Sequence, residues 1–203
     1  MTPTAARNLA CKLAPEQPEK ALAVAKAITD PWFRCQALAW VGRFWPHEQY
    51  SRILADAVSA GNSQDNTYKR VAVSAWPIRA YLDRGNIKAA QRLLGEQLRD
   101  ARNIDNMGGR SEALFALFQS ARPYDERLWR SVFLALVDAA EPALSWRQLR
   151  NLREALAMVI ADSPELADAA LQKVKYPKNL NAIRKQVDGT LRVEAKPRDY
   201  FAR

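Results

Sequence analysis

The chain has 203 residues and a formal net charge of +9 at pH 7, with 48% hydrophobic and 26% charged residues. That mixture suits one domain with a core large enough to hold itself and excludes a disordered or collagen-like chain. Seven glycines and few β-branched runs argue against a β-sandwich, and no stretch approaches the roughly 18 consecutive apolar residues of a transmembrane helix.

In chain order, residues 1–15 lack the apolar region of a secretory signal and read as part of the mature protein. A helix is expected over 4–14, and another over 19–29, where Leu22, Ala25 and Ile28 recur at helical spacing. Asp30 and Pro31 then supply an N-cap and a first-turn proline, opening a helix that carries RCQALAW at 34–40. A helix over 48–60 ends at Gly61 and Asn62, and Asn66 opens the next, with RVAVSAW at 70–76. Pro77 interrupts that segment, yet the apolar stripe continues through Ile78, Tyr81 and Leu82, so a kinked helix is expected. Gly85 and Asn86 separate it from a helix over 87–102, after which Asn106 opens RSEALFA at 110–116. Helices over 126–140 and 164–174 flank a segment with EALAM at 154–158, and a basic helix over 178–187 precedes a polar end.

These segments repeat. Gln36, Ala72, Glu112 and Glu154 occupy matching positions, spaced by 36, 40 and 42 residues. That is the period of a two-helix unit with a variable loop. The reading is an all-α fold: a right-handed α-solenoid of about ten antiparallel helices in helical-hairpin repeats of 36–42 residues. Residues 1–176 would form the solenoid, and 177–203 a basic capping helix and tail. GNIKAAQRLL at 85–94 resembles the turn and first helix of a tetratricopeptide unit, and EKALAVAKAI at 19–28 is similar. The pattern over 19–174 thus resembles the tetratricopeptide-like and HEAT-like helical-repeat proteins. The resemblance implies a stacked scaffold whose concave face holds a peptide, a protein or nucleic acid.

Nine residues stand out as candidates for binding. Arg34, Arg70 and Arg110 head the inward stripes of their helices; Arg34, for example, shares a side with Ala37, Leu38, Val41 and Trp45. A partly buried guanidinium needs a carboxylate or a carbonyl cluster, which the Asx-rich ends of neighbouring helices offer. The three are read as inter-helix clamps, or else as a row of cations facing a groove. Trp40 and Trp76 are repeat-equivalent and serve either the core or aromatic stacking on a ligand. In the segment that follows Trp146, Leu149, Leu152, Leu156 and Ile160 define a buried side. Arg147 and Arg150 would then face solvent, with Arg153 at the edge, able to meet phosphates or acidic side chains.

Catalytic signatures are missing. Cys11 and Cys35 are the only thiols and His47 the only histidine, so a disulfide framework or zinc site lacks its ligands. There is no Gly-rich phosphate loop, nucleophile elbow or His-Glu-x-x-His, and Asp125 with Glu126 fits a helix first turn. No catalytic residue, metal or cofactor is therefore expected. Residues 173–203 carry nine Lys/Arg against three Asp/Glu, while the preceding residues carry 22 against 19. Such a tail suits an acidic protein, nucleic acid or an anionic surface. The expected function is a non-enzymatic cytoplasmic scaffold that binds a protein or peptide partner, acidic partners included. The alternative is a nucleic-acid-binding helical repeat, extending to a DNA-acting enzyme such as a HEAT-like glycosylase.

Overall fold

Short polar side chains start most of the helices. In the computed structural model, which describes residues 1–140, 145–174, 181, 183–185 and 201, the caps Thr2, Asp30, Asn66, Asn86, Asn106 and Ser145 each accept a hydrogen bond from a first-turn amide. Those amides have no partner within the helix, so a side-chain oxygen there fixes where the helix begins. Prolines at first-turn positions do the same for the helices that start at Pro3, Pro18, Pro31 and Pro164.

The described residues form eleven α-helices. They are α1 (Pro3–Leu13), α2 (Pro18–Lys26), α3 (Pro31–Phe44), α4 (Tyr50–Asn62), α5 (Thr67–Val73), α6 (Ala75–Asp83), α7 (Ile87–Asp100), α8 (Met107–Ala121), α9 (Glu126–Ala140), α10 (Trp146–Ile160) and α11 (Pro164–Lys173). A 3-10 turn at Ala101–Asn103 continues α7. Helix accounts for 79% of the described residues, with no strand among them, so the fold class is all-α. None of these helices is long and apolar enough to cross a membrane.

Pro77 acts at a distance along its own helix. Lacking an N–H, it leaves the carbonyl of Val73 without a helical donor. The ladder breaks at Ser74, whose backbone stays right-handed (φ −64°, ψ −16°) and whose hydroxyl donates to the Arg70 carbonyl at 2.8 Å. The expected kinked helix is therefore two segments, α5 and α6, running through one helical residue.

The chain divides into two compact units, Met1–Asn103 and Ile104–Arg203. In the first, α3 is central: it packs on α1, α2, α4 and α6, while α7 packs on α6. Helix α4 lies so close that a Cβ on Gly42 would stand 2.4 Å from Leu54 Cδ2. In the second unit, α8 packs on α9 and α10, and α11 on both of those. Its core is aromatic, with Phe118, Trp129 and Phe133 in mutual contact at centroid separations of 5.7 to 6.4 Å.

Boundaries differ modestly from expectation. Helix α9 spans the expected residues, whereas α4 starts at Tyr50 because Trp45–Gln49 form a bend and turn in which His47 is exposed. Of the expected capping helix over 178–187, Asn181 and residues 183–185 are described and helical. The expected boundary at 176 and the rest of the tail, apart from the buried Phe201, lie outside the described residues.

Candidate functional site

The three arginines share one local geometry. Arg34, Arg70 and Arg110 each follow an Asx cap by four residues and donate their backbone N–H to its carbonyl, at 2.9, 3.0 and 2.8 Å. The guanidinium of Arg70 then folds back, donating to the Gln64 carbonyl at 3.0 Å and to Thr67 Oγ1 at 2.9 Å. Arg110 reaches the equivalent carbonyl, that of Ile104, from Nε at 2.9 Å and from Nη2 at 2.8 Å. In both, the acceptor lies six residues upstream, in the connection that leads into the arginine's own helix. The expected clamp between helices is thus a clamp between a helix and its own lead-in. Arg34 is half-buried, and among the described residues no such bond joins it to the equivalent Ile28.

Trp40 and Trp76 come together, but in the core of the first unit. They are 5% and 8% exposed, with ring centroids 6.0 Å apart and planes tilted by 58°. Arg43 lies 4.8 Å over the Trp40 ring and is held by Asp83 at 2.7 Å. This cluster ties α3 to α6 and exposes little beyond the edge of Phe44. Neither tryptophan is available for stacking on a ligand.

Helix α10 differs. Trp146, its first residue, is 65% exposed. The guanidinium carbon of Arg150 sits 4.7 Å from its ring centroid and that of Arg147 at 5.5 Å. A cation over an indole face is attracted by the ring quadrupole, so these groups hold one another in place. The expected facing of this helix needs correction. Its buried residues are Gln148, Asn151, Leu152, Ala155, Leu156 and Val159, while Leu149 and Ile160 are half-exposed. Arg150 is accordingly half-buried, not turned to solvent, and pairs with Glu112 at 3.4 Å. Arg147 is exposed as expected, and Arg153 is half-exposed on the same helix.

Polar residues cause that rotation. Gln148 Nε2 donates to the Ala139 carbonyl at 3.1 Å, and Asn151 Nδ2 to Ser111 Oγ at 2.9 Å and Glu112 Oε2 at 3.1 Å. Once satisfied in this way, two amides face inward at little cost. Leucine spacing alone therefore misplaces the stripe. Glu112, which pairs with Arg150, and Asn151 and Ser111, joined to it through the Asn151 amide, are the site residues that leucine spacing does not reveal. Their signal was the recurrence of amides at positions 148 and 151, three apart on the inward side.

Groups with chemical potential are otherwise engaged. Cys11 and Cys35 are buried and neither forms a disulfide; burial pushes the Cys35 thiol well up from its ordinary value. Hydrogen bonds from Arg127 hold the Asp125 carboxyl down at about 2, and Ser163 followed by Arg130 lowers that of Glu126. Both acids are ionised at neutral pH and unsuited to giving up a proton there. Among the described residues no group of three or more His, Cys, Asp or Glu side chains is arranged to hold a metal ion. Comparison with protein-family models, curated proteins and solved structures returns no match for this chain.

Proposed function

We propose that the protein is a non-enzymatic helical-repeat scaffold, an α-solenoid of antiparallel helical hairpins, that binds a protein or peptide partner through the start of α10. One observation carries this reading: Trp146 is 65% exposed beside two guanidinium groups. Tryptophan and arginine are the residues most enriched where alanine substitution costs binding energy, because a large rigid ring buries much area for little lost rotamer freedom. Arg147, Arg150 and Arg153 lend the surface a positive bias, which favours an acidic partner and steers its approach. Arg150 is held by Glu112, which Asn151 holds in turn, so the platform is arranged before the partner arrives. The two thiols outside any disulfide fit a reducing cytoplasm.

The same platform supports a second reading. A nucleic-acid base stacks on an exposed indole, and flanking guanidinium groups neutralise phosphates. The net charge of +9 favours that class of ligand as well. Affinity capture from a lysate of the source cells separates the two, using wild-type and Trp146→Ala protein with and without nuclease. The scaffold reading expects nuclease-resistant polypeptides retained by wild type and lost by the variant. Retention that nuclease abolishes supports the second reading.

A further inference from the structure

We infer that the first unit holds an anion site around the C-terminal end of α6, one that takes a phosphate monoester between Arg84, Arg92 and the Tyr81 hydroxyl. Helix α6 packs on both α4 and α7. Its end meets the first residue of α4, where the guanidinium carbon of Arg84 lies 4.4 Å over the Tyr50 ring. Stacking occupies the face of a guanidinium and leaves the N–H donors in its plane available to an oxyanion.

Tyr81 carries the argument. It is 8% exposed, and among the described residues its hydroxyl has no hydrogen-bond partner, yet it is not one of the buried polar atoms closed off from water. A largely buried phenol normally bonds its hydroxyl within the protein; this one keeps it open to a ligand. Burial pushes the phenol up from its ordinary value, while Arg92 pulls it down and Tyr50 pushes it up, so at neutral pH the hydroxyl is a protonated donor. Those influences place the Arg92 guanidinium and the Tyr50 phenol in its neighbourhood. Lys88, exposed and four residues before Arg92, adds a third cation on the same side of α7. Among the described residues Arg84, Lys88 and Arg92 form no ion pair. The one acid of α6, Asp83, is held by Arg43 at 2.7 Å and by Arg79 at 3.1 Å. Cations gathered without a carboxylate call for a multiply charged anion. A phosphate monoester brings about two negative charges and three acceptor oxygens, enough for two guanidinium edges and a hydroxyl; a carboxylate or a phosphodiester brings a single charge.

The site is distinct from Trp146, and its test does not depend on that surface. The full-length protein is titrated by calorimetry at about 50 mM salt, where screening is modest, with inorganic phosphate, phenyl phosphate and dimethyl phosphate. The expected result is saturable binding of the first two at millimolar concentration or below, and at least about tenfold weaker binding of the diester. Tighter phenyl phosphate would support an organic monoester as the source of the group, and tighter inorganic phosphate the free ion. Arg84→Gln and Arg92→Gln should each weaken the titration at least about tenfold, the loss expected when a charge-assisted hydrogen bond is deleted. Tyr81→Phe removes only the hydroxyl and should weaken it by a similar factor. The same variant should melt no lower than wild type, because that hydroxyl holds nothing within the protein. Arg147→Gln removes the same charge from α10 and should leave the titration unchanged. Unaltered binding or lower melting of Tyr81→Phe would overturn the proposal. So would an equal loss in Arg147→Gln, equal binding of dimethyl phosphate, or no saturable heat up to about 10 mM.

Discussion

The Cys35 thiol donates to the carbonyl of Val73 at 3.7 Å, across 38 residues of sequence. Val73 is four residues before Pro77, so this is the carbonyl that the proline leaves without its helical donor. A thiol of α3 thereby completes a helix elsewhere in the unit. Cys35→Ala should lower stability by about 1–3 kcal/mol, combining a stranded carbonyl with a small cavity. Cys35→Ser, which keeps a donor, should recover part of the loss. Denaturant melts of the three proteins check this, and equal midpoints would refute it.

The same burial sets a pH dependence. The folded protein holds the Cys35 proton above the ordinary value of 9.0, whereas the unfolded chain releases it there. Stability from this group is thus complete below pH 9 and declines as pH rises, with a slope approaching about 1.4 kcal/mol per pH unit. Tyr81, also raised by burial, adds to the decline above its ordinary value of 10.0. Melts between pH 9 and pH 10 should fall steeply for wild type and less so for Cys35→Ala. Parallel curves would remove Cys35 as the cause.

Arg70 and Arg110 should matter to stability and not to binding. Arg70→Ala leaves the Gln64 carbonyl and Thr67 hydroxyl without their donors, and should cost about 1–3 kcal/mol. Arg110→Lys should cost a similar amount, since one ammonium cannot reproduce two guanidinium contacts with the Ile104 carbonyl. Arg34→Ala should cost less than either. The measurement is again the denaturation midpoint, and the ordering is the informative part: a most-sensitive Arg34 would contradict the clamp geometry of Arg70 and Arg110.

Gly42 marks the close approach of α3 and α4. A Cβ there would sit 2.4 Å from Leu54 Cδ2 and 2.9 Å from its Cγ, and Leu54 is fully buried. Gly42→Ala should therefore destabilise by about 1–3 kcal/mol despite the gain in helix propensity. In a double-mutant cycle with Leu54→Ala the two changes should couple, the pair being less harmful than their sum. Additive effects would mean that the clash is relieved elsewhere.

Local signals in the sequence were enough to place the helices. Asx caps, first-turn prolines and three-to-four apolar spacing locate the helices within a few residues, with α5 and α6 as one kinked helix, because each depends on neighbours along the chain. What escaped was tertiary. The partner of Arg70 lies only six residues away, yet its identity depends on the path of a connection that periodicity does not describe. Leucine spacing alone places Arg150 towards solvent; Glu112, 38 residues upstream, and the buried Asn151 turn it inward. On sequence, Trp40 and Trp76 read as core or stacking residues and the run from Trp146 as a surface. Only packing separates a ring at 5% exposure from one at 65%.

Site-specific photo-cross-linking in the source cells tests the central claim most directly. Arg147 is exposed and lies beside the Trp146 ring, so Arg147→p-benzoylphenylalanine sets the reactive group on the proposed surface, with the same residue at exposed Glu19 of α2 as a control. Because Trp146 is largely solvent-exposed, Trp146→Ala should change stability by no more than about 0.5 kcal/mol, leaving a folded comparison. The account predicts a nuclease-resistant polypeptide adduct at 147 that is absent from the control and disappears with Trp146→Ala. An adduct destroyed by nuclease, or one indifferent to Trp146, would contradict it.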